Sequence, residues 1–462
     1  MRLEKDSIGT LRIDKDAYYG IQSLRGAENF NVIDQRINHD FVKNIARIKK
    51  AAARVNYEIG NLEKRKYEAI LQASEEVISG KFYTSFIVDA IQGGAGTSAN
   101  MNVNEVIANR AIEILGGVKG DYSVVNPNDD VNMSQSTNDV IPSAAKMTVI
   151  DFINPLLINL EKLEEAFLDK AVEFDNVIKM GRTQMQDAVP IRLGQEFHAY
   201  AAVIKRDIER IGLAVKKMHE INMGGSAIGT SVNVSTSYLD KIDVEISKEC
   251  GYNVFLSENL IDSTQNMDGF VNVSSSLKTC AVNMAKIAGD LCLMSSGPRT
   301  GFLEINLPSM QNGSSIMPGK INPVIPEILI QVAFLIMGHD VTINFAAASG
   351  QLELNAFGPV IFYQLFESIT ALNGAVDSFA RDCIRGITVN ESKCREDVEK
   401  SVGMITVLVP IIGYQKSAEI AQEAIVSGTS VKEILLKKKI LSEEQIDELL
   451  NPFKMTTPTV DK

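Results

Sequence analysis

The segment Gly313 to Pro323, GSSIMPGKINP, gathers two hydroxyls, an ammonium group and a primary amide into one short stretch. It is not a phosphate cradle of the P-loop type. Five residues instead of four separate Gly313 from Gly319, and Ile321 stands where a Ser or Thr must follow the lysine. What remains is a loop with glycines for hinges that offers a hydroxyl, a cation and an amide donor. Such a loop is either a plain connector or a flap that closes on a substrate. Three other segments have the same character: GAGTSANMNVNEV (Gly94 to Val106), SQSTND (Ser134 to Asp139) and GRTQMQDAVP (Gly181 to Pro190). They are rich in small donors and carry no nucleophile–histidine pair. The four histidines, His39, His198, His219 and His339, all fall outside them. No metal-ligand constellation is visible, so the chemistry is expected to need neither a metal nor a cofactor.

Donors scattered this widely must be brought together by long elements. Ser143 to Phe174 repeats apolar residues (Met147, Ile150, Ile153, Leu157, Leu160, Leu163, Phe167) at spacings of three and four, which is one face of a helix. Pro155 within it predicts a kink or a restart. Similar runs cover Gly194 to Met218, Met267 to Ser296, Pro326 to Ser349 and Gly358 to Ile384. Helices of about 30 residues reach roughly 45 Å, and apolar residues on more than one stripe predict a bundle whose outer faces meet other subunits. Before residue 139 the chain is mixed, with a helical run from Phe41 to Ile59 and a turn at Asn126 to Asp130. Beyond Thr388 it becomes shorter and more polar, and SVKEILLKKKILSEEQIDELL reads as two small amphipathic helices.

Composition narrows the function. The chain has 462 residues, 45% hydrophobic and 23% charged, which suits a multi-domain globular protein. Its formal net charge of −12 speaks against a nucleic-acid partner and would repel a dicarboxylate at long range. An acid that binds here must meet a local set of donors. The five cysteines form no CxxC pair, which fits small buried groups in a reducing compartment. The N-terminus lacks a secretory h-region, so a cytoplasmic location is expected. The greasiest stretch, Ile328 to Gly338, is broken by Gln331 and reads as a buried helix too short to span a bilayer. No membrane partner is expected.

GSSIMPGKINP resembles the signature loop of the aspartase/fumarase superfamily. GAGTSANMNVNEV, SQSTND, GRTQMQDAVPIRLGQEF, GGSAIGT (Gly224 to Thr230) and TQNMD (Thr264 to Asp268) resemble that superfamily in the same order and at similar spacings, across essentially the whole chain. The resemblance implies an all-α, three-domain fold in which residues 1–138, 139–390 and 391–462 form the N-terminal, central and C-terminal domains. It also implies a homotetramer built on a bundle of twenty helices, with each active site assembled from three subunits.

Fumarases of this superfamily read GRTH, where the histidine pairs with a glutamate and handles water. Here Glu327 is present, but Thr183-Gln184 gives the GRTQ form seen in aspartases, and a neutral amide takes up no proton at neutral pH. Thr137 in SQSTND has the same leaning. The resemblance therefore implies reversible loss of ammonia from L-aspartate to give fumarate. A hydratase without its histidine and a non-catalytic helical scaffold are the alternatives. Removing a proton beside the β-carboxylate generates an aci-carboxylate, which demands a ring of neutral donors. By resemblance Thr97, Ser136, Thr137 and Ser315 form that ring. Lys320 and Asn322 hold the other carboxylate with Thr183 nearby, Asn138 and Gln184 surround the amino end, and Ser314 is the base.

Overall fold

In the computed structural model, which describes residues 1–458, the apolar runs are helices almost where their periodicity places them. Helix α1 spans His39–Glu58, α2 Thr97–Ile114, α3 Thr137–Glu173, α4 Leu193–Val215, α5 Asp268–Met294, α6 Val324–Ala348 and α7 Gly358–Ser378. Near the C-terminus follow α8, Val431–Lys438, and α9, Glu443–Leu449. The latter opens with a capping box in which Ser442 and Gln445 satisfy each other's backbone N–H. Helix accounts for 63% of the chain and strand for 7%, so the all-α expectation holds. The most regular strand pairing is an antiparallel hairpin of β1, Ile178–Thr183, and β2, Gln186–Arg192.

Two expectations are corrected. Of the kink or restart expected at Pro155 the restart does not occur: helix α3 runs unbroken for 37 residues, with Pro142 and Pro155 inside it. At Pro142 the physical reason is visible. The missing N–H frees the Asn138 carbonyl, which instead accepts the Asn222 side-chain amide at 3.0 Å. The apolar stretch around Ile328 is not a short buried segment either. It belongs to a 25-residue helix long and apolar enough to cross a membrane by length and composition, and only 28% of its most apolar window is buried. Phe334 is 62% and Phe345 72% accessible, while Asp340 on the other face is buried and receives Ser274 Oγ at 2.8 Å and Lys278 Nζ at 2.7 Å.

The described chain forms two compact units. The first comprises Met1–Leu157, Glu209–Thr279 and Phe334–Leu372; the second comprises Ile158–Ile208, Cys280–Ala333 and the chain from Asn373 on. An aromatic cluster of Phe41, Phe152, Phe270, Phe362 and Phe366 fills the first unit, with ring centroids 5.0–6.2 Å apart. In the second, Phe167, Phe174, Phe197, Tyr200 and Phe379 pack at 5.4–6.3 Å. A separate apolar cluster there, including Leu408, Ile420, Ile434, Leu435 and Ile446, holds α8 and α9.

Candidate active site

In the first unit, α3 starts at Thr137, so SQSTND becomes a turn leading into a helix N-terminus. The Ser136 N–H donates to Asp139 Oδ1 at 2.9 Å and the Asn138 N–H to Ser136 Oγ at 3.2 Å. Asn100 Nδ2 donates to Thr137 Oγ1 at 3.3 Å. Both hydroxyl oxygens are thus acceptors, which leaves their protons available to a substrate anion. Asn138 commits one amide hydrogen to the Ala227 carbonyl at 2.7 Å. Thr97, the first residue of α2, donates its hydroxyl to the Gly94 carbonyl at 2.8 Å, so that proton is engaged within its own turn.

The same unit ties three motifs together. Asp139 Oδ2 accepts the Ser226 N–H at 3.0 Å, which fastens GGSAIGT to SQSTND. Asn222 Nδ2 reaches Thr264 Oγ1 at 3.0 Å and brings in TQNMD. Beneath this turn lie Asp139 and Lys49, both fully buried. Burial pushes the Asp139 carboxyl up to about 7, against the pull of the Ser136 and Ser226 amides. Burial likewise pushes the Lys49 ammonium down to about 7, opposed by the charge of Asp139. Lys49 Nζ donates to Asn132 Oδ1 at 2.7 Å and Gln135 Oε1 at 3.0 Å. Sequence reasoning passed over Lys49, Asn100 and Asp139. One signal was available: Lys49 lies four residues from Ile45 and from Ala53, on the buried stripe of α1.

In the second unit, GSSIMPGKINP is a loop closed at its base. The Gly313 N–H donates to the Lys320 carbonyl at 2.9 Å, and Asn322 Nδ2 donates to the Gly313 carbonyl at 2.9 Å. Gly313 is therefore a clasp and not a free hinge: a Cβ there would lie 2.4 Å from the Lys320 oxygen. Gly319, at φ +83°, makes the turn on the far side. Ser314 Oγ accepts the N–H groups of Ile316 at 3.2 Å and Met317 at 3.0 Å. Ser315 and Lys320 are exposed, as is Ile316 at 82%.

Thr183 and Gln184 sit at the tip of the hairpin. Thr183 pairs with Gln186, and the two turn residues Gln184 and Met185 both have positive φ, 54° and 63°. This is a primed turn without the glycine or asparagine that ordinarily relieves it, and strain of this kind persists only where neighbours hold it. Here the holders are named. Buried Glu304 pairs with Arg182 at 2.6 Å and Lys179 at 3.1 Å, and Ser401 Oγ donates to Asp187 at 2.8 Å. The structure thus gathers Ser136, Thr137 and Asn138 on one turn, Ser314, Ser315, Lys320 and Asn322 in one loop, and Thr183 with Gln184 on one hairpin tip.

Among known proteins, a family model described as a lyase matches residues 9–338, and one described as the fumarase C C-terminus matches residues 404–457. An aspartate ammonia-lyase of a Bacillus species is 49% identical over 460 residues, covering 100% of this chain and 98% of the relative. The aspartate ammonia-lyase of Escherichia coli K12 is 42% identical over 461 residues, covering 99% and 96%. Among solved structures, a fumarate lyase:delta crystallin of Brucella melitensis bound to cobalt superposes with a TM-score of 0.95 at 47% identity, covering 99% and 100% of the two chains. A class II fumarase of Schistosoma mansoni gives 0.95 at 34% identity, with 98% of each chain covered.

Proposed function

The chain belongs to the aspartase/fumarase superfamily as a carbon–nitrogen lyase that releases ammonia from L-aspartate, and we propose that Ser314 is the base of that reaction. The observation that carries the assignment is the pair of loop amides directed at Ser314 Oγ. A neutral serine is a poor base. Donors aimed at its oxygen favour the alkoxide, and a closed, dry loop strengthens them.

In the reaction, the Ser314 alkoxide takes the proton from the carbon beside the β-carboxylate. The electron pair moves into that carboxylate, giving the aci form with two negative charges on one group. Ser136 and Thr137, whose hydroxyl protons are unengaged, stabilise it together with Ser315; Thr97 joins when it releases Gly94. Lys320 and Asn322 grip the other carboxylate beside Thr183, and Asn138 and Gln184 border the amino group. Return of the electrons forms the double bond of fumarate and breaks the carbon–nitrogen bond, and ammonia leaves. Lys320 supplies, at one point, the positive charge that the net −12 of the chain opposes.

The three clusters are taken to meet in a cytoplasmic homotetramer in which three subunits contribute to each site, with residues 139–390 as the bundle-forming domain. The exposed apolar face of α6, with Ile328, Phe334, Leu335, Val341 and Phe345, supports helix-on-helix assembly of this kind. The reading is tested by offering L-aspartate and L-malate separately and following the ultraviolet absorbance of fumarate. Fumarate from L-aspartate alone is expected; fumarate from L-malate alone would identify a hydratase.

A further inference from the structure

A buried polar network beneath the Ser136–Asn138 turn has no role in the scheme above. Asn132 Oδ1 is its node, accepting Lys49 Nζ at 2.7 Å, Asn100 Nδ2 at 3.2 Å and Asn104 Nδ2 at 3.2 Å. Asn132 Nδ2 in turn donates to the Gln135 carbonyl at 3.1 Å, one residue before Ser136. The geometry points to Lys49, Asn100 and Asp139 as positioning residues that aim the Ser136 and Thr137 hydroxyls at the substrate's reacting carboxylate.

Each residue fixes a different coordinate. Asn100 occupies the Thr137 oxygen as an acceptor, so the hydroxyl hydrogen is turned away from Asn100. Asp139 clamps the Ser136 backbone N–H with one oxygen and the Ser226 N–H with the other, locking the turn to the neighbouring loop. Lys49 anchors both side chains of the preceding turn, Asn132 and Gln135, and its charge answers that of Asp139. A lysine and an aspartate buried completely are expensive for the fold. Placed directly under a turn of substrate donors, they supply a fixed hydrogen-bonded frame, which a site that stabilises a doubly charged group requires.

The inference rests on the reading of Ser136 and Thr137 as substrate donors, and the experiment separates the two. Asn100→Ala, Lys49→Met, Lys49→Arg and Asp139→Asn enzymes are compared with Thr137→Val as tetramers. The readouts are kcat and KM for L-aspartate, and inhibition by succinate and by 3-nitropropanoate. Succinate resembles the ground state, whereas the nitronate of 3-nitropropanoate places charge as the aci-carboxylate does. Loss of aim is expected to lower kcat by about tenfold or more with KM changed by less than about threefold, because only interactions stronger in the transition state affect kcat alone. Inhibition by 3-nitropropanoate should weaken by a similar factor, with succinate little affected, and Lys49→Arg should recover part of both.

If Lys49→Met or Asp139→Asn does not fold, Asn100→Ala decides, since it removes no charge and places a strong helix former in α2. Normal kcat and normal 3-nitropropanoate binding in Asn100→Ala, beside a crippled Thr137→Val, would overturn the inference alone. A fully active Thr137→Val would overturn the donor reading and the inference with it.

Discussion

Ser314 Oγ lies 3.0 Å from the amide nitrogen of Met317 and accepts its hydrogen. The oxygen assigned to take a proton from carbon is therefore already braced by its own loop. Replacing Ser314 with Ala should lower kcat by at least about a thousandfold, within the range of losing a positioned base. Succinate inhibition and the oligomeric state should stay unchanged. Near-normal turnover in a folded enzyme of unchanged assembly would refute Ser314 as the base.

Thr137 tests the donor ring. Val keeps the branched shape and removes the hydroxyl, so Thr137→Val should raise the barrier by about 3 kcal/mol, a loss of more than a hundredfold in kcat. Its KM for L-aspartate should move far less, because the donor is needed most when the second negative charge develops. An equal loss in binding of succinate would place the hydroxyl on ground-state recognition instead.

Gly313 tests the clasp. An added Cβ would meet the Lys320 carbonyl oxygen at 2.4 Å, so Gly313→Ala must open the base of the loop. Turnover is expected to fall by about tenfold or more, as for a lid that closes imperfectly. The unfolding temperature should shift little, because residues 315–321 of the loop are exposed. A large thermal shift with normal turnover would contradict this.

The buried lysine should leave a signature in stability. Its folded pKa is lowered from 10.5 to about 7 by burial. Between those values the unfolded chain holds a proton that the folded chain lacks, so the penalty for burying Lys49 is full below pH 7 and lifts as pH rises. Asp139 runs the other way: raised from 3.8 to about 7, it makes stability fall with pH up to 7 and adds no slope above. Tyr238, whose phenol also feels the charge of Asp139, is held well above 10 by burial and stays neutral. From pH 7 to 9.5 the wild type should therefore gain stability relative to Lys49→Met, a difference of about 2 °C or more in Tm. Parallel Tm curves would mean that Lys49 keeps its ordinary affinity for a proton.

The long helices were legible because a repeat of three and four residues is a property of the chain itself. The hairpin was not: its turn residues, Gln184 and Met185, have none of the small-residue chemistry that announces a primed turn, and Glu304 with its two cations imposes it from afar. The SQSTND and GSSIMPGKINP segments stood out by composition and resemblance. No role was legible for Lys49, or for Asn100 and Asp139 within their motifs, since what matters about them is where three distant segments meet. The outer face of α6 is open within the single chain: apolar sequence indicates that water is avoided, and not which molecule does the covering.

In the reaction proposed above, the clasp between Gly313 and Lys320 would bear on how fast the enzyme can cycle. A slack segment would have to surrender many backbone arrangements every time it shut over a substrate, and regain them at each release. A segment pinned at both ends has already given most of these up. Under the proposed mechanism it would swing as one piece, so that the toll in disorder per turnover is small and the same serine arrives in the same orientation each time.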